Sequence, residues 1–226
     1  MITCGALAHE VSALIAKNNW DADILGIDAV LHVFPDRIAA AVERLIIENR
    51  EKYAQLVVVY GDCGTGGALD RVLAHHGVTR ISAPHCYEMF GGNAFTRAMQ
   101  DEPGTFFLTD YMVRTFDGMI IKSMGLDRHP ELRDEYFRNY KQILYFSQVQ
   151  DVALQEKAAA IADYLRLPLQ TQHTGYNVLE TRLATLMETS LSQPKRLAPA
   201  LTHTQRAPRT LRISRKRTRP TRSRRY

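Results

Sequence analysis

Three cysteines are the residues of this sequence whose types and positions most clearly indicate chemistry. Cys4, Cys63 and Cys86 each follow a run that is predicted to be a β-strand, at the point where a turn and a helix begin. In an open parallel sheet these points share the carboxyl edge, where such folds bind their ligands. We therefore expect the three thiols to converge. The alternative is that each cysteine is a small buried hydrophobic residue.

The residues beside the cysteines extend this prediction. Cys4 precedes a helix, whose positive end favours a thiolate. The glycines after Cys63 allow backbone amides to turn toward an anion or a cluster sulfide. This makes five residues candidates for cofactor binding: Asp62, Gly64, Thr65, Gly66 and Gly67. His85 and Glu88 flank Cys86 and are the candidate acid and base, or the candidate fourth metal ligand.

Three thiolates without a fourth cysteine indicate either of two metal centres. A zinc ion bound by Cys4, Cys63 and Cys86 would take its fourth ligand from His85, Glu88, His9 or water. An iron-sulfur cluster held by the three cysteines would leave one iron open to substrate. The sequence contains no C-x-x-C pair, so both centres stay open.

Two other kinds of site compete with a metal centre. The segment G-D-C-G-T-G-G is similar to a phosphate-binding loop, but it lacks the G-K-[ST] ending and does not match G-x-G-x-x-G. A single cysteine nucleophile could instead pair with His85 or His9. That arrangement would leave two cysteines without a role.

The elements that must position these residues alternate between β-rich runs and segments of helical period. Leu7, Val11 and Leu14 repeat at helical spacing after the first short run, for example. Such alternation predicts a single α/β domain over residues 1–190, with a mainly parallel sheet and helices on both of its faces. The predicted strands are 1–4, 23–33, 55–60, 80–83, 105–109, 143–146 and 167–169. Residues 111–128 are predicted to be an insertion over the sheet edge.

Charge is distributed unevenly along the chain. Its formal net charge is +5, yet 12 of its 29 Lys and Arg residues, and none of its 24 Asp and Glu residues, lie between Lys195 and Arg225. Residues 191–226 are rich in Arg, Pro, Ser and Thr, which predicts a disordered basic tail. Its charge alone could bind nucleic acid. The alternatives are a solvated extension or the product of a shifted reading frame.

Hydropathy predicts the compartment. No apolar run approaches the roughly 18 residues of a membrane span, and no signal-peptide pattern opens the chain. We therefore expect a cytoplasmic protein that does not bind a membrane.

Four motifs occur in order along the chain: I-T-C-G-A-L-A-H-E, Y-G-D-C-G-T-G-G, P-H-C-Y-E-M-F-G-G and H-T-G-Y. Together they resemble a bacterial and archaeal family of unknown function, over about residues 2–186. Its members are often encoded near corrinoid-dependent methyltransferases. The resemblance therefore implies a role in one-carbon metabolism and methyl transfer, as enzyme or accessory, with a corrinoid protein or methyltransferase as partner. It implies no catalytic residues.

Three hypotheses about function follow. The first is a metalloprotein with an iron-sulfur or zinc centre that acts in methyl transfer. The second is a non-catalytic metal carrier or partner-binding module. The third is a platform whose basic tail binds nucleic acid.

Overall fold

The first sheet of the protein contains four parallel strands. A computed structural model describes residues 1–192 of the chain. The strands are β1 (Ile2–Cys4), β2 (Leu25–Ile27), β3 (Val57–Val59) and β4 (Thr79–Arg80). Their order across the sheet is β2-β1-β3-β4, so the chain begins in the interior of the sheet and fills both sides of it.

The second sheet contains three parallel strands, β5 (Thr105–Thr109), β6 (Gln142–Ser147) and β7 (Leu169–His173). They pair in chain order, and Thr105 lies opposite Gln142 in the register. Parallel strands need crossover connections, which helices supply here.

Nine α-helices surround the two sheets within the described residues. They are α1 (Ala8–Asn18), α2 (Ile38–Asn49), α3 (Ala68–His76), α4 (Cys86–Gly91), α5 (Asn93–Asp101), α6 (Asp110–Phe116), α7 (Arg133–Phe137), α8 (Val152–Leu165) and α9 (Asn177–Ser192). The prediction of a single α/β domain with parallel strands is confirmed, with the strands divided between two sheets.

Several segments differ from their predicted structures. The strand predicted over 80–83 is Thr79–Arg80, and the strand predicted over 167–169 is Leu169–His173. The strand predicted over 23–33 ends at Ile27, because Asp28 accepts a hydrogen bond from the Val30 amide and starts a 3-10 helix, Ala29–Val33. Residues 111–128 are not an insertion over a sheet edge. They include most of α6 and a π-helical turn, Asp117–Lys122, and they pack against the second sheet.

The hydrophobic core joins the two sheets. Phe107 and Phe146 belong to the second sheet but pack in the core of the first. Gly91, at the end of α4, lies so close to Phe146 that a Cβ there would collide with the ring. This close approach brings α4, which begins with Cys86, against the second sheet.

The last described helix, α9, packs against the core of the first sheet. Leu179 and Leu183 of α9 are buried against the first core. The predicted basic tail, residues 191–226, lies outside the described residues apart from the last two residues of α9. In the described part of the chain, no helix is both long and apolar enough to cross a bilayer.

Candidate metal centre

One candidate ligand follows each of the four strands of the first sheet. Cys4 is the last residue of β1, and Cys63 lies in the loop after β3. Cys86 opens α4 after β4, and His32 lies in the 3-10 helix after β2. The parallel order of the sheet therefore brings all four residues to its carboxyl edge, as predicted from the strand ends for the cysteines.

The side chains of His32, Cys63 and Cys86 form a compact group. Their ligand atoms all lie within 4.8 Å of one another. Cys4 lies at the edge of this group, with its Sγ 3.9 Å from Nε2 of His32. All three cysteines are buried, and none of them forms a disulfide within the described residues.

The orientation of His32 suits a metal ligand. Its Nδ1 lies 2.9 Å from the carbonyl oxygen of Ala29, so Nδ1 carries the proton and donates it there. When the ring is neutral, as in a metal complex, the lone pair of Nε2 is directed toward the sulfur side of the group. The ring also stacks on Tyr60, with 5.6 Å between centroids and 16° between planes. Ligating histidines commonly have such a second hydrogen bond, which fixes the tautomer.

The loop that contains Cys63 adopts an unusual backbone conformation. Cys63 has a φ of 46°, in the left-handed region that non-glycine residues rarely enter. Two hydrogen bonds hold it there: the amides of Asp62 and Cys63 donate to the carbonyl oxygens of Ala83 and Pro84, each at 3.0 Å. Such conformations are concentrated at functional sites, where the surrounding structure must maintain them.

Gly61 allows the loops after β3 and β4 to approach each other. A Cβ at this position would lie 3.1 Å from Sγ of Cys63 and 3.1 Å from Cα of His85. Any larger residue would therefore push Cys63 away from the loop that contains Cys86.

The glycine-rich segment after Cys63 has a different partner from the predicted one. Asp62 accepts hydrogen bonds from the Thr65 hydroxyl at 2.6 Å and from the amides of Gly66 and Gly67 at 3.3 and 3.0 Å. The Thr65 amide donates to the Asp62 carbonyl oxygen. These amides therefore close the loop and do not face the cysteines. Gly64 contributes a left-handed φ of 86° to the turn.

The three predicted candidates for the fourth ligand lie in different surroundings. His85 contacts the group, with Nδ1 3.5 Å from Sγ of Cys86 and 3.2 Å from the Tyr87 amide, which donates to it. Glu88 instead forms a two-point ion pair with Arg182 of α9. His9 is largely exposed. Glu88 and His9 therefore lie outside the group, and His32 is the nitrogen donor within it.

Comparison with known proteins gives the family. Residues 27–183, more than half of the chain, match the family described as protein of unknown function (DUF1638). The chain belongs to this family. The expectation of an uncharacterised family is thus confirmed. No curated protein and no solved structure matches the chain. The DUF1638 match includes His32, Cys63 and Cys86, whereas Cys4 precedes it.

Without a metal ion, the group in this DUF1638 chain is strongly polarised. A hydrogen bond from Cys86 lowers the pKa of Cys63 to about 4, against the effect of burial, and a bond from His32 adds to the decrease. The same bond to Cys63 raises the pKa of Cys86 well above its ordinary value, and burial raises it further. Burial lowers the pKa of His32, but hydrogen bonds to Cys4 and Cys63 outweigh it and raise the pKa to about 10. Cys63 is thus a thiolate beside an imidazolium.

One buried polar atom beside the group lacks a partner. The hydroxyl of Tyr60 is fully buried and has no hydrogen bond to any residue in 1–192. Burial, followed by the charges of Cys4 and Cys63, raises the pKa of Tyr60 far above its ordinary value. Tyr60 is therefore a buried polar group whose electrostatic neighbours are the cysteines of this edge.

A cavity of about 210 Å³ adjoins the group. His32, His85 and Cys86 contribute to its lining on the side of the first sheet. Met112 of α6 and Met119 of the π-helical turn also line it. Single π-helical turns are frequent at functional sites. The cavity therefore gives small molecules a place beside the candidate ligands.

The sequence did not identify His32, because it lay inside the strand predicted over 23–33. Asp28 is the signal that could have located it. Aspartate is depleted in strands and favoured at helix starts, so a strand that ends at Ile27 would put His32 at the same edge as the cysteines.

Proposed function

We propose that the protein binds one thiophilic metal ion through His32, Cys63 and Cys86, and that Zn²⁺ is this ion. Sulfur and imidazole donors suit zinc, and two cysteines with one histidine occur in zinc sites that keep an open position. Cys4, 3.9 Å from Nε2 of His32, would be a fourth ligand when no other molecule occupies that position.

The spacing of the donors carries this proposal. Zinc-sulfur bonds of about 2.3 Å in a tetrahedron put neighbouring sulfurs about 3.8 Å apart. The donor atoms of His32, Cys63 and Cys86 lie within 4.8 Å of one another, so small side-chain adjustments bring them to one ion. An iron-sulfur cluster has several irons between its ligands and requires donors that are spread more widely. The geometry therefore favours a single ion over a cluster.

An ion at this position would serve as a Lewis acid or as a site for a sulfur ligand. The cavity beside it can admit a small molecule, and His85, which contributes to the cavity lining, is the candidate for moving a proton there. Burial lowers the pKa of His85, and this effect outweighs that of the charge of Cys63, which acts in the opposite direction. The imidazole is therefore neutral at neutral pH and can accept a proton.

We assign the process to methyl transfer in one-carbon metabolism, with a corrinoid protein or methyltransferase as partner. The resemblance of the four sequence motifs supports this assignment. The cavity favours a protein that binds a substrate over one that only carries a metal. A carrier would release its zinc to a weak chelator, and small molecules would not change the visible spectrum of its cobalt-substituted form.

The experiment is a metal analysis of protein purified without air. Zinc, iron and acid-labile sulfide are measured per chain for the wild type and for Cys63→Ala, Cys86→Ala and His32→Ala. We expect one zinc per chain in the wild type and its loss in all three variants. Iron and sulfide in similar amounts would favour a cluster instead, and the absence of any metal would overturn the proposal.

A second candidate function is that of a cysteine-nucleophile enzyme. The lowered pKa of Cys63, which arises from Cys86 and His32, is the observation that favours it. A protein that binds no zinc, but whose Cys63 reacts much faster with an alkylating agent than its other thiols, would support this function over the metal centre.

A further inference from the structure

The size of the cavity beside the candidate ligands limits what it can hold. Its volume is about 210 Å³. Pockets that hold drug-sized ligands typically have volumes of about 300–1,000 Å³, so this cavity has room for a smaller molecule. This is too small for a nucleotide or a corrinoid. The occupant is therefore a small molecule.

The lining of the cavity limits the charge of this molecule. Among the residues that the structure describes, no Asp, Glu, Lys or Arg lines it. Away from His32, His85 and Cys86, much of the lining is apolar and includes Met112, Met119 and Ile120. Moving a charged group from water into such surroundings without a partner is costly. Methionine side chains, in contrast, adapt well to alkyl groups.

The metal side of the cavity sets a different requirement. An ion held by cysteine and histidine prefers soft donor atoms, of which sulfur is the commonest in small biological molecules. The molecule therefore needs a sulfur at one end and an uncharged group at the other.

We propose that the cavity binds a small thiol with an uncharged alkyl tail, its sulfur on the ion and its tail against Met112 and Met119. This inference depends on the proposed metal centre and names the class of its substrate. On binding, the S–H bond breaks, the sulfur keeps the electron pair and becomes a metal ligand, and the proton passes to the buffer.

The test uses the full chain with Co²⁺ in place of Zn²⁺, because cobalt reports its ligands in the visible spectrum. Propanethiol and mercaptopropanoate are titrated separately, and the spectral change gives the Kd of each. We expect propanethiol to change the spectrum and to bind at least tenfold more tightly. Equal binding, tighter binding of the carboxylate, or no change with either thiol overturns the inference.

Two variants test the position of the tail. Met119→Lys puts a positive charge in the lining, so its affinity for mercaptopropanoate should rise about tenfold, the effect of roughly 1.4 kcal/mol. Met99→Lys is the matched control, because Met99 is an exposed residue of α5 and does not line the cavity. It should leave both affinities unchanged. Equal behaviour of the two variants contradicts the proposed position.

The cobalt spectra distinguish a failure of this inference from a failure of the proposed metal centre. If no cobalt-thiolate absorption appears before any thiol is added, the proposed metal centre is wrong and the inference falls with it. If that absorption is present but propanethiol is not preferred, the metal centre stands and the inference alone is wrong.

Discussion

Replacing His32 by alanine should remove the nitrogen donor from the proposed metal centre. Structural zinc sites with four ligands bind with about 10–16 kcal/mol at neutral pH, or about 2.5–4 kcal/mol per ligand. Since about 1.4 kcal/mol is a factor of ten, His32→Ala should weaken zinc binding by roughly 10²- to 10³-fold. The hydrogen bond from Nδ1 to Ala29 pre-orients the imidazole, which puts the expected loss toward the upper end of this range.

The assay is competition for zinc against a chromophoric chelator at fixed pH. His85→Ala is the matched control, because His85 contacts Cys86 but does not belong to the compact donor group. It should weaken binding by about tenfold, the lower end of the effect of removing an outer-shell partner. An affinity of His32→Ala within about threefold of wild type, or an equal loss in His85→Ala, would refute the assignment of His32 as a ligand.

Three further predictions concern the surroundings of the centre. Gly61→Ala should destabilise the protein by about 1–3 kcal/mol in denaturant unfolding, because the new Cβ would press on Cys63 and on the backbone of His85. Gly26→Ala is the control: a Cβ there meets nothing within 4 Å, so the loss of stability should be smaller. Equal losses in the two variants would contradict this prediction. In metal-free protein, the ultraviolet absorbance of the Cys63 thiolate should persist at neutral pH and disappear near pH 4. Because folding lowers the pKa of Cys63, its thiolate stabilises the folded protein. This stabilisation is complete above the pKa of the unfolded thiol and is lost as the pH falls toward about 4. An absorbance midpoint near pH 9 would exclude the polarised pair of Cys63 and His32. Glu88→Gln should keep the wild-type affinity for zinc. It should lower the free energy of unfolding by about 1–3 kcal/mol, because it removes the ion pair with Arg182. Loss of zinc binding would instead identify Glu88 as a metal ligand.

Local sequence patterns predicted much of the fold. The strand Thr105–Thr109 has its predicted bounds, because β-rich residues indicate one structure there. The helix predicted from the spacing of Leu7, Val11 and Leu14 is present as α1. The bounds of α4 were not predicted, and neither α6 nor α9 was predicted at all. The short α4 begins at Cys86, and its fit depends on the contact of Gly91 with a phenylalanine more than 50 residues away.

The candidate site was predictable only in part. The positions of the cysteines after strands predicted that they lie at one edge, since parallel strands end on the same side. The role of Asp62 was not predictable, because its hydrogen bonds to the glycine amides depend on how the loop closes. The partner of Glu88 was not predictable either, because Arg182 lies 94 residues further along the chain.

X-ray absorption at the metal edge tests the central claim most directly, on wild-type protein loaded with one equivalent of zinc. The proposed centre predicts one tightly bound zinc per chain, with two or three sulfurs at about 2.3 Å and at least one nitrogen at about 2.0–2.1 Å. A shell of oxygen and nitrogen without sulfur, or zinc that washes away, would contradict a centre built from His32, Cys63 and Cys86.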